Sequence, residues 1–84
     1  MTKAKQAKLN MGLSVKVASY IADNPGVVKD LPDDADFVVF SKRNTKLNQL
    51  NDRLVKSLQK KGEKIISVYP TENKKSPWKF SFAS

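Results

Sequence analysis

The 84-residue sequence has no cysteine and no histidine. Without cysteine there can be no disulfide and no thiolate metal site, and the chain suits a reducing cytoplasm, where we expect it. Without histidine it lacks the commonest general base and the commonest metal ligand. Glycine is scarce, and none lies between Gly26 and Gly62. No glycine-rich loop of the kind that wraps a nucleotide phosphate can therefore be built there. No apolar run approaches the ~20 residues needed to cross a bilayer, so no membrane span is expected. The lysines near Met1 are not followed by the apolar stretch of a secretion signal. Acid is short of base, with 8 Asp and Glu against 16 Lys and Arg, a net charge of +8.

That charge is unevenly placed along the chain. Residues 1–36 hold five lysines and five aspartates, whereas residues 37–84 hold eleven basic residues against Asp52, Glu63 and Glu72. A basic half points to an anionic partner such as a nucleic acid, an acidic protein or a membrane surface.

Eighty-four residues make one domain with a modest core of roughly fifteen to twenty apolar side chains. We expect a flexible, basic N-terminus over 1–8 and a single α/β domain over 9–84. Leu9, Leu13, Val17, Tyr20 and Ile21 recur at helical spacing. Met11, Val15, Ala18 and Ala22 widen that face, so the helix is expected to be well covered. Asn24-Pro25-Gly26 stops it, with Asn24 able to cap a short turn that sends Val27, Val28 and Leu31 inward. Phe37–Phe40 reads as a short strand buried on both faces. A polar loop follows, then a helix capped by Asn44 or Thr45, with Leu47, Leu50, Leu54, Val55 and Leu58 as its stripe. Gly62 is the expected left-handed stop, and Ile65–Tyr69 is a second strand. Strand, helix, strand fits a right-handed crossover with parallel strands. Trp78, Phe80 and Phe82 alternate with Lys79 and Ser81, which suits a third strand antiparallel to the second. The alternative fold is a winged helix, with Leu47–Lys61 as recognition helix and the last two strands as wing.

Several short patterns occur together over residues 10–69. They are Asn10 with Leu13-Ser14, Tyr20-Ile21, Asn24-Pro25, Leu31-Pro32, Asp36–Phe40, Leu47 with Asn51 and Leu54, and Gly62 before Ile65–Tyr69. In that order and spacing the segment resembles a small prokaryotic family of uncharacterised α/β proteins, a domain of unknown function. The resemblance implies an α/β fold and no activity. It stops short of Trp78, and Ser41-Lys42-Arg43-Asn44 is basic where that family's loop is acidic.

The loop after the first strand is the best candidate site, because ligands of α/β sheets bind at the carboxyl ends of strands and free N–H groups there favour anions. Ser41, Lys42, Arg43, Asn44 and Lys46 belong to it. Arg53, Lys74, Lys75 and Lys79 extend the basic surface. Asn51 falls on the apolar stripe of the second helix, and such an Asn must be hydrogen-bonded, as a tether or at a polar interface. Asp33, Asp34 and Asp36 follow a proline and read as turn chemistry rather than a calcium loop, which needs more oxygen ligands and a glycine. No catalytic set, metal or cofactor is expected. Two functions fit: a non-enzymatic interaction module for an acidic protein or a second copy of itself, including a homodimer, or a nucleic-acid binder gripping phosphates. In the second, Trp78–Phe82 would stack on bases.

Overall fold

In a computed structural model, which describes residues 1–83, the order of elements is helix α1 (Lys3–Asp23), a 3-10 turn (Pro25–Val28), strand β1 (Asp36–Val39), helix α2 (Thr45–Lys60), strand β2 (Ile65–Pro70) and strand β3 (Trp78–Ala83). The chain forms a small α+β domain with β2 central in a three-stranded mixed sheet. β1 runs parallel to β2, Val38 opposite Ser67 and Val39 opposite Val68. β3 runs antiparallel to β2, with Val68 opposite Phe80 and Tyr69 opposite Lys79.

Strand alternation sends successive side chains to opposite faces. Val39, Ile66 and Val68 meet Val17 of α1 on one face, where Leu13, Ile21, Leu31, Ala35, Trp78 and Phe80 close the cluster. Val38, Phe40 and Ile65 meet Val55 and Leu58 of α2 on the other. Each fully buried Val or Ile contributes roughly 1.5–3 kcal/mol relative to exposure, so a sheet clamped on both faces holds this short chain. Phe40 also stacks on Tyr69, centroids 4.8 Å apart and 16° from coplanar.

α1 begins at Lys3 instead of Leu9, because the Thr2 hydroxyl accepts the Lys5 N–H at 3.1 Å and caps the first turn. At the far end, Asn24 closes α1 and does not cap the turn that follows: its side-chain amide donates to the Tyr20 carbonyl at 3.0 Å. Val27 stays exposed, and so does Phe37 at the start of β1, which reaches across β2 to meet Phe80 edge-on. The apolar stripe of α2 is less complete than its spacing suggests, since Leu54 is at the exposed rim.

The larger departure is on α1. Met11 and Val15 are 69% and 61% exposed, and Ala18 and Ala22 are exposed with them. The helix has apolar residues on opposite sides, and the sheet covers only the side carrying Leu13, Val17 and Ile21.

α2 starts and stops by local chemistry. The Asn44 side chain accepts the Leu47 N–H at 3.0 Å. At its other end Gly62 has φ +82°. The Gly62 N–H donates to the Gln59 carbonyl, and the Glu63 N–H donates to Leu58. This is the doubly bonded left-handed termination that glycine permits without a Cβ penalty.

Candidate functional site

The loop between β1 and α2 is organised around Ser41. The Asn48 side chain pairs with its backbone, Oδ1 accepting from the Ser41 N–H at 2.7 Å and Nδ2 donating to the Ser41 carbonyl at 2.8 Å. The Ser41 hydroxyl oxygen in turn accepts the N–H groups of Arg43 and Asn44 at 3.3 and 3.1 Å. The Thr45 N–H donates to Arg43, and that of Leu47 to Asn44. The N–H groups expected to be free for an anion are thus largely engaged within the loop. Attraction for an anion here comes from side-chain charge.

Lys42, Arg43 and Lys46 are exposed on this loop and the first turn of α2. Lys42 pairs with Glu72 at 3.1 Å, which brings the β2–β3 loop, with Lys74 and Lys75, beside the β1–α2 loop. Lys79 stands opposite Tyr69 near the same end of the sheet. Arg53 lies two turns further along α2, exposed and apart from the loop.

Residues from α1 complete this end, and the charge count by segment concealed them. Residues 1–22 contain Lys3, Lys5, Lys8 and Lys16 and no acid. α1 runs antiparallel to β1, so its N-terminal half lies against Ser41, Asn44 and Leu47. The Met1 amino group sits beside the Lys46 ammonium, and that like-charged neighbour, a donor facing a donor, holds its pKa below the usual value. The acids of the first 36 residues gather at the opposite end, around the C-terminus of α1 and the start of β1, where Asp34 pairs with Lys64 at 3.1 Å. The domain is therefore electrically polar along its strands, basic at the carboxyl ends of β1 and β2 and richer in acid at the other. Both helix N-termini point to the basic end, and neither has an acidic residue in its first turn, so the helix dipoles add to that field.

The position of α1 is set by Asn51, which is 0% exposed. Its Nδ2 donates to Asn10 Oδ1 at 2.9 Å and to the Val39 carbonyl at 3.1 Å. Its Oδ1 accepts from Asn10 Nδ2 at 3.0 Å and Gln6 Nε2 at 3.2 Å. All four hydrogen-bonding positions of the amide are used, and the tether joins α1, α2 and β1. Nothing in the sequence marks Gln6 and Asn10 as its partners, because they lie more than forty residues away.

Between α1 and the loop lies a groove of about 770 Å³. Leu9, Leu13 and Leu47 form its apolar lining, with Lys5, Lys8 and Lys16 at its sides. Trp78 and Phe80 do not face it: they pack into the core against the α1 face of the sheet, while Phe82 is partly exposed. Among the described residues there is no cluster of three metal-ligating side chains, and no helix is long and apolar enough to cross a membrane. No protein-family model, curated protein or solved structure matches the chain. The resemblance over residues 10–69 rests on its motifs alone.

Proposed function

We propose that this domain is a non-enzymatic interaction module whose basic end binds an acidic protein partner. The observation that carries the reading is the segregation of charge. Lysines distant in sequence (Lys5 and Lys8 of α1, Lys42 of the β1–α2 loop, Lys46 of the first turn of α2, Lys74 and Lys75 of the β2–β3 loop) share one end of the sheet. Such a field steers an anionic partner and fixes its orientation. An acidic protein suits it better than a nucleic acid, because the cavity at that end is lined by leucines, which a phosphate backbone does not use, and no aromatic ring lines it for base stacking.

Nucleic-acid binding remains the second reading, favoured by Lys79 beside exposed Tyr69 on the sheet. In that case the α/β form is the better supported, since Phe37–Val39 belongs to a strand paired with β2 and not to a helix. Titration of the full chain with a Glu-rich peptide and with a single-stranded oligonucleotide, each at 50 and 200 mM salt (about the range over which phosphate contacts lose most affinity), decides between them. Tighter binding of the peptide supports the protein-partner reading. Preference for the oligonucleotide, or no binding of the peptide at the lower salt, overturns it.

A further inference from the structure

We infer that the partner presents an acidic amphipathic helix, and that this helix lies in the groove between α1 and the β1–α2 loop, across Gly12. The inference rests on the interaction-module reading and specifies its partner.

Gly12 is the first reason. It stands in the interior of a 21-residue helix, where glycine costs roughly 1 kcal/mol against alanine. Nothing in the fold demands it. Its φ is not in the left-handed region, and a Cβ built there would meet no atom within 4 Å. The domain alone would be better served by alanine. What the glycine does is leave the groove open at the middle of α1, between Lys8 and Lys16, so that a partner's backbone and side chains can come close.

Charge complementarity is the second. Among the described residues none of Lys5, Lys8 and Lys16 makes an ion pair, and no acidic residue lines the groove. Lys5 to Lys16 spans about 16 Å, three helical turns. Carboxylates repeated at one-turn intervals on a facing helix would meet these lysines, while its apolar stripe covers the half-buried Leu9 and Leu13, with Leu47 buried beneath as the floor. Apolar anchors at helical spacing in a groove, framed by opposite charge, are a recurring mode of peptide recognition.

The same features exclude other occupants. A second copy docked symmetrically would bring its own lysines against these three, and docked head to tail it has no acidic helix to offer, since α1 carries only Asp23 and α2 only Asp52. An anionic bilayer is met by projecting Trp, Phe or Leu on a basic helix, whereas the outer side of α1 offers only Met11 and Val15 as large side chains and the leucines line a concavity.

The test uses the full chain, uniformly ¹⁵N-labelled, and three probes. These are a synthetic helical peptide of three to four turns with a leucine stripe flanked by glutamates, a scrambled peptide of the same composition, and vesicles of anionic phospholipid. The helical peptide is expected to bind at least tenfold more tightly than the scrambled one. Its shifts should centre on Lys5, Lys8, Gly12, Lys16, Ser41 and Asn44. Gly12→Leu, which fills the groove, should weaken it at least tenfold with thermal stability retained, and Lys8→Glu should do the same without adding bulk. Equal binding of the two peptides overturns the helix inference and leaves the charge-based reading standing. So do shifts centred on Lys74 and Lys75, or an unchanged affinity in both variants. Binding of vesicles in preference to either peptide overturns both.

Discussion

Asn10 and Asn51 exchange two amide hydrogen bonds, at 3.0 and 2.9 Å, across the junction of α1 and α2. Because Asn51 also holds Gln6 and the Val39 carbonyl, this pair decides where α1 lies and so where its lysines are presented.

Asn51→Ala should therefore destabilise the domain by about 2–4 kcal/mol. It leaves the Asn10 amide and the Val39 carbonyl without partners and opens a small cavity. Asn51→Asp keeps the shape but removes the donor. Burial raises the folded pKa of that carboxyl above its unfolded value near 4. A raised folded pKa means the stability is present at low pH and lost as pH rises. The Asn51→Asp deficit should accordingly be smaller at pH 4 than at pH 7 in urea titrations, and that of Asn51→Ala should not change.

Gly62 and Gly12 should respond to substitution with opposite signs. Gly62→Ala forces a Cβ into the left-handed conformation at φ +82° and should cost about 1 kcal/mol. Gly12→Ala meets no atom and should stabilise by up to about 1 kcal/mol. For a domain of this size each corresponds to about 4–8 °C in Tm. Calorimetry of the two variants checks the contrast.

Asp34 has its carboxyl pKa held below the usual value, first by the hydrogen bond from Lys64, then by a backbone hydrogen bond. A depressed folded pKa contributes stability above the unfolded value of 3.8 that is lost as pH falls through the folded value. Lys64→Met should return the Asp34 titration, followed by carboxyl ¹³C NMR, towards 3.8. The pair is exposed, so raising the salt concentration should move it the same way.

How much of this was legible in the sequence depended on how local the cause was. β1, α2 and β2 were legible because Phe37–Phe40, the leucines of α2, Gly62 and Ile65–Tyr69 each carry their own signal within a few residues. The coverage of α1 was not. Leu13/Val17/Ile21 and Met11/Val15/Ala18/Ala22 are both at helical spacing, and only packing reveals that the sheet takes one set. At the candidate site the basic loop was visible, but not that Ser41, Asn44 and Asn48 occupy its N–H groups. The charge polarity was hidden for a geometrical reason: residues 1–36 balance in number, and the antiparallel course of α1 carries their lysines to one end and their aspartates to the other.

The most direct measurement compares two charge-reversed chains with the same net charge. Lys8→Glu/Arg43→Glu/Lys46→Glu alters the basic end, and Lys29→Glu/Lys60→Glu/Lys61→Glu alters the opposite one. Calorimetric titration with the Glu-rich peptide should show binding abolished in the first chain and changed by less than about threefold in the second, a difference that net charge alone cannot produce. Equal loss in the two chains would contradict the account, because binding would then follow total charge and not its placement by the fold.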